Sequence, residues 1–158
     1  MPTGDKRTTP VEISPCNGTA LRKATRRVSQ LYDAVLSPSG LRSTQRSILI
    51  HIARAGTPTM GELAVALVLD RSALAHNLKP LERDGFVGIT ADPRDRRSRL
   101  VGLTALGEAK LRESQALWQS AQDRFEAAFG ADEARVLRRT LAKIASTEFG
   151  EAFERAGG

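Results

Sequence analysis

The 158-residue chain contains one cysteine, Cys16, and two histidines, His51 and His76. A lone cysteine excludes an intramolecular disulfide and any cysteine-rich metal site. Two histidines would leave a zinc site dependent on carboxylates, and none stands at a recognisable ligand spacing. No metal and no cofactor is therefore expected. The longest apolar run, Leu63 to Leu69, falls far short of the ~20 residues that a membrane span needs. No glycine-rich nucleotide motif and no Ser-His-Asp arrangement is visible, which disfavours an enzyme. Met1 to Glu12 is polar, and no apolar stretch follows Lys6 and Arg7. It is not a secretory signal, so residues 1–17 are expected to form a flexible tail and the protein to be cytoplasmic.

Hydrophobic residues make up 41% of the chain and charged residues 27%, the balance of a globular protein. Lysine plus arginine number 24 against 18 acids, a net charge of +6 and a pI near 10.2. Such a surplus suits an anionic partner, of which nucleic acid is the commonest.

Periodicity then sets the elements. Leu21, Ala24, Val28, Leu31 and Val35 recur at steps of three and four and predict a helix from Thr19 to Leu36. Arg22, Lys23, Arg26 and Arg27 lie on its other face. Ser37-Pro38-Ser39-Gly40 breaks the chain. A second helix is expected from Ser43 to Ala55, stopped by Gly56, with Ile48, Leu49 and Ile52 buried. Thr59 and Glu62 have the spacing of a capping box and open a short helix to about Val68. Asp70 caps another beginning at Arg71, and Gly85 ends it. Phe86 to Thr90 and Leu100 to Leu103 read as two strands joined by the polar turn Asp92 to Arg99. One long helix is expected from Ala105 to Phe129, with Leu111, Leu117, Ala121 and Phe125 on its apolar side. A last one is expected from Asp132 to Phe153.

Two short helices and a hairpin in this order form a winged helix-turn-helix. On a wheel of ~100° per residue, Leu74, Leu78 and Leu81 share one arc of the second short helix. Ser72, His76, Lys79 and Arg83 share the opposite one. A helix with donors and positive charge on its outer face can enter a major groove; the same pattern also serves as a solvated face. The hairpin turn narrows the choice, because Arg94, Arg96, Arg97 and Arg99 crowd one short loop. Arginine suits phosphates and narrow minor grooves. Asp95 among them has a use if it holds a neighbouring guanidinium by a charged hydrogen bond.

Leu63-Ala64, Asp70-Arg71-Ser72, Leu81-Glu82-Arg83-Asp84-Gly85-Phe86-Val87 and the run from Asp92 to Gly107 together resemble the MarR family of regulators. The specific part is Asp95-x-Arg97 followed by Leu103-Thr104 and Gly107. The resemblance implies a mainly α fold with a small β-hairpin wing, made of a winged helix-turn-helix lobe (residues 43–104) and a helical dimerisation region (18–42 and 105–155). It implies a homodimer on a near-palindromic operator in double-stranded DNA, acting as a repressor and released by a small-molecule ligand. It places Arg71, Ser72, Ala73, Ala75 and His76 at the major groove. Arg97 goes to the minor groove, oriented by Asp95. Lys79, Arg83, Arg94, Arg96 and Arg99 complete the expected DNA-binding set. Two departures stand out: His76 occupies a place where the family often has arginine, and Pro80 inside the helix removes one backbone hydrogen bond. Tyr32, His51 and Trp118, each with an apolar body and a polar tip, are candidates for the effector site. Two alternatives remain open. Cys16, just before the first helix, could serve a redox sensor. A winged helix can also be a protein-interaction module, whose binding would lack the salt dependence of phosphate contacts.

Overall fold

The computed structural model describes residues 13–157; most of the expected tail lies outside them. The order is α1 (Asn17–Leu36), a 3₁₀ turn (Ser37–Ser39), α2 (Ser43–Ala55), α3 (Met60–Leu67), α4 (Arg71–Arg83), β1 (Val87–Ala91) and β2 (Arg99–Leu103). Four helices follow: α5 (Ala105–Glu113), α6 (Gln115–Phe129), α7 (Ala131–Ile144) and α8 (Thr147–Arg155). The mainly α architecture with one antiparallel hairpin is the expected one. No described helix is long and apolar enough to cross a membrane.

The core lies where α2, α3, α4 and the hairpin converge. Leu49, Ile52, Leu63, Leu74, Leu78, Leu81 and Val101 are all but inaccessible there, and they form one cluster with Leu41, Ile48 and Val87. Burial of side chains of this size contributes about 1.5–3 kcal/mol each before entropy is counted. The arcs assigned to α2 and α4 are thus the buried ones.

The termini of the short helices follow from local chemistry. Thr59 Oγ1 accepts the N–H of Glu62 at 3.1 Å, and Glu62 Oε2 accepts the N–H of Thr59 at 2.8 Å. Asp70 Oδ1 caps α4 through the N–H of Ala73, at 2.7 Å. Gly85, at φ 77°, closes α4 in a Schellman turn: Phe86 N–H donates to the Leu81 carbonyl and Gly85 N–H to that of Glu82. The α3–α4 turn repeats this pattern with Val68 in the left-handed position, at φ 53°. Leu69 N–H donates to Ala64 and Val68 N–H to Val65. A β-branched residue is strained in that conformation, and nothing in the sequence pattern announces it.

Two expected long helices are divided. Ser114 separates α5 from α6 and is fully buried, with its hydroxyl donating to the Leu111 carbonyl at 2.8 Å. Ser146 separates α7 from α8, and its hydroxyl accepts the N–H of Phe149 at 3.2 Å. In both cases a serine hydroxyl competes for backbone groups within the helix path. The first helix also starts two residues earlier than expected, at Asn17.

The hairpin pairs Val87 with Leu103 through to Ala91 with Arg99. β2 has a further neighbour: Thr59 bridges Leu100, and Val101 N–H donates to the Pro58 carbonyl at 2.8 Å. The wing is therefore tied to the start of α3 as well as to the end of α4.

Candidate nucleic-acid interface and the cleft behind it

α4 presents Arg71, Ser72, Ala75, His76, Lys79 and Arg83 to solvent, while Ala73 is half-buried. The helix continues through Pro80 to Arg83, and the Asn77 side chain anchors its middle by donating to the Ala73 carbonyl at 2.9 Å. Its outer face is not wholly cationic. Arg83 Nε lies 2.9 Å from Asp84 Oδ1, and that carboxylate raises the guanidinium above its ordinary value. The wheel drawn from the sequence stopped short of this neighbour.

The wing turn is built by two aspartates. Asp92, buried although charged, accepts the N–H of Arg94 at 2.9 Å and lies 3.6 Å from Arg94 Nε. Asp95 Oδ1 accepts the N–H of Arg97 at 3.0 Å. The expected charged hydrogen bond from Asp95 to a guanidinium is absent among the described residues; Asp95 fixes the backbone that carries Arg97. These i to i+2 bonds are Asx turns. Further bonds, Asp92 N–H to the Ser98 carbonyl at 3.1 Å and Ser98 N–H to that of Asp95 at 2.9 Å, close the loop. Arg96, Arg97 and Arg99 are exposed, and none is ion-paired among the described residues. Two adjacent elements thus carry unneutralised cations on rigid backbone.

Of the effector candidates, Tyr32 and Trp118 border one cleft of about 410 Å³, with Arg46, Arg54, Ser43 and Gln115 among its other walls. His51 does not border it; its Nδ1 lies 2.7 Å from the Ser47 carbonyl, so that nitrogen holds the proton. Tyr32 donates to Gln122 Oε1, and burial raises its phenol above the ordinary value, with Glu126 adding to it. Sequence reasoning missed Arg46. It is 5% exposed with its guanidinium 4.7 Å from the centre of the Trp118 ring. It has no ion pair among the described residues, and burial, then Arg54, lower its pKa. The available signal was an arginine at the edge of the apolar arc of α2. Cys16 is exposed at the N-terminal boundary of α1, and Thr19 lowers its thiol below the ordinary value. Among the described residues no group of three or more His, Cys, Asp or Glu could hold a metal.

Comparison with known proteins settles the family. The sequence profile of the MarR family matches residues 39–98, which is the helix-turn-helix and most of the wing. The transcriptional regulator MosR of M. tuberculosis, solved in complex with DNA, is 36% identical, with 87% of this chain and 97% of that one covered and a TM-score of 0.77. Wild-type MarR of E. coli is 30% identical, with 84% and 98% covered and a TM-score of 0.67.

The chain belongs to the MarR family.

A further relative in sequence, the transcriptional activatory protein BadR of Rhodopseudomonas palustris, is 39% identical over 71 residues. That match spans 43% of this chain and only 41% of BadR, so it does not speak for the whole of that protein. The family and fold are those of transcriptional regulators rather than enzymes.

Proposed function

We propose that this MarR-family chain is a repressor that binds a near-palindromic operator as a homodimer and is released by a small anionic effector. One observation carries the DNA-binding surface: Arg71 and Lys79 on α4, with Arg96, Arg97 and Arg99 on the wing, are exposed and free of ion pairs among the described residues. In this reading α4 lies in a major groove, with Ser72 and His76 toward base edges, and Arg97 reaches the neighbouring minor groove. MosR was solved with DNA and a mutant of E. coli MarR with operator DNA, which supports the assignment. Residues 43–104 act as the reading lobe, and residues 18–42 with 105–155 act as the dimerisation region.

Uncovered apolar surface supports the dimer. Leu31 on α1, Phe129 on α6, Val136 and Leu141 on α7, and Phe149 and Phe153 on α8 are between 39% and 72% exposed. A patch of this kind marks an interface. A two-fold dimer would set two recognition helices about one turn of DNA apart, ~10 base pairs. The effector reading rests on the cleft beside Trp118, whose cationic wall suits a carboxylate or phosphate.

Arg97→Ala tests the interface. Gel-shift affinity should drop strongly while light scattering still reports the dimer; wild-type affinity at matched salt would overturn the reading. Light scattering of the unaltered chain tests the dimer itself, and a stable monomer of about 17 kDa at micromolar concentration would refute it.

A further inference from the structure

The cleft's arginine also holds together a joint in the fold. α2 carries the centre of the winged lobe's core, whereas α6 packs on α1 and carries part of the exposed apolar surface. The two helical runs meet at Ser114, and one guanidinium spans the junction. Arg46 Nε donates to Ser114 Oγ at 3.2 Å, and Arg46 Nη2 donates to Gln115 Oε1 at 2.7 Å. The same group lies over Trp118, one turn further along α6, at 4.7 Å. Ser114 in turn donates to the Leu111 carbonyl, at the point where α5 gives way to α6. A single buried cation thus engages three residues at the joint.

Protein acceptors do not take up all of that cation, although no buried side-chain donor of the described residues lacks a partner. Two of the five N–H donors of its guanidinium have protein acceptors, and no carboxylate of the described residues pairs with it. Arg46 also forms part of the cleft wall, with Arg54 beside it. An anion in the cleft would offer two charged acceptors in place of a hydroxyl and an amide. Charge-assisted bonds are roughly twice as strong as neutral ones. A carboxylate or phosphate that takes the Nε and Nη2 edge of the guanidinium as a two-oxygen acceptor competes directly with Ser114 Oγ and Gln115 Oε1, which hold that edge in the free protein.

We propose that Arg46 is a latch: in the free protein it fixes the α5–α6 joint, and an anion in the cleft draws it away and frees the angle at which the winged lobe is held. Arg46 is on this account a positioning residue for DNA binding, acting through Ser114 and Gln115 and touching no nucleotide. The trigger rests on the effector reading given above; the ligand-free latch does not.

The test therefore has two arms. In the first, without ligand, Gln115→Ala and Ser114→Ala are compared with wild type by hydrogen exchange of the amides of residues 111–119 and by operator affinity. Gln115 is exposed, so its truncation leaves the core intact, and thermal unfolding verifies both folds. Faster exchange confined to the joint, with operator binding weakened about fivefold or more, is expected. Wild-type exchange and affinity in both variants would overturn the latch. In the second arm iodide serves as the anion and acrylamide as a neutral control, with fluorescence of Trp118, the chain's one tryptophan, as the readout. Iodide should quench the wild type more than acrylamide does, and should speed exchange at 111–119; Arg46→Gln should abolish both. Selective quenching without faster exchange would leave the anion cleft standing and overturn the latch's trigger. Equal quenching by both agents would overturn the anion cleft and the trigger that rests on it, and leave the first arm to decide the ligand-free tie.

Discussion

Gly107 sits in the first turn of α5, and alanine there should be strongly destabilising. Elsewhere in a helix, glycine to alanine is favourable by about 0.5–1 kcal/mol, because alanine loses less backbone freedom on folding. Here a Cβ would stand 1.9 Å from the Phe86 carbonyl oxygen and 2.8 Å from its carbon, where real Cβ atoms essentially never come within 3.0 Å of another heavy atom. Gly107 is itself buried. The obstacle is backbone, so no rotamer change can relieve it. Nor can Phe86 retreat freely: its carbonyl accepts the N–H of Thr104 at 3.1 Å, and its N–H donates to Leu81 at 2.9 Å. α5 must move off the start of the wing by more than 1 Å, opening core that Val87 and Leu81 now fill. Overpacking of this kind costs about 1–3 kcal/mol, and backbone on both sides puts Gly107→Ala at about 3 kcal/mol. For a chain of this size the melting temperature should fall by about 6–12 °C. Circular dichroism melts measure it, with Gly150→Ala as the control, since a Cβ at Gly150 in α8 meets nothing within 4 Å. A Gly107→Ala protein that melts at or above the wild-type temperature would refute the argument, because the propensity gain alone predicts that sign.

Val68→Gly should stabilise the fold by about 1 kcal/mol, since the left-handed penalty of about 1–2 kcal/mol disappears and an exposed side chain (66% accessible) has little burial to lose; denaturant melts showing a less stable variant would contradict this. Lys79→Ala should weaken all DNA sequences alike and reduce the salt slope of log K by about 0.9; a changed operator preference in binding-site selection would make Lys79 a base reader instead. His76→Ala should alter that preference, because His76 lies exposed on the face opposite the buried leucines. Glu62 has its carboxyl pKa lowered from 4.5 by its bonds to Thr59. A depressed folded pKa stabilises above the unfolded value and is lost as pH falls through the folded one. The melting-temperature advantage of wild type over Glu62→Gln should therefore be present at neutral pH and shrink below about pH 4.5; an advantage that grows on acidification would contradict the assignment.

The elements that could be read from sequence are those whose information is local. Leu74, Leu78 and Leu81 announce the buried side of α4 because their spacing alone places them on one arc, and Asp70 and Gly85 mark its ends because capping chemistry needs only the residues beside it. Gly107 stands apart: only the family resemblance carried by Leu103-Thr104 and Gly107 singled it out, and the close approach of Phe86, distant in sequence, explains why the side chain must be absent. Ser114 and Ser146 are different. A serine within a helical pattern can point outward harmlessly, and whether it interrupts the helix depends on what its hydroxyl meets. At Ser114 that is decided by Arg46, 68 residues earlier in the chain, and no periodicity reports such a pairing. Val68 was hidden for the opposite reason, since a left-handed turn is signalled by glycine or asparagine and here the tertiary packing imposes the conformation on a valine.

The same distinction explains the site. Exposed cations on α4 and on the wing are legible because exposure follows from the wheel and from turn composition. How they are held is not. Asp95 looked like the partner of a guanidinium, yet the bond it makes is to the Arg97 backbone, with Asp92 doing the like for Arg94. Fixing the backbone rather than the side-chain tip leaves the guanidinium of Arg97 unneutralised and its root rigid, whereas an ion pair would have to be broken or shared when a phosphate arrived. Arg83, paired with Asp84, faces that cost, and Arg97 does not. A contact surface built from arginines on stiff turns therefore retains its full charge for an incoming anion, and removal of Asp95 should loosen the turn without changing which group makes the contact.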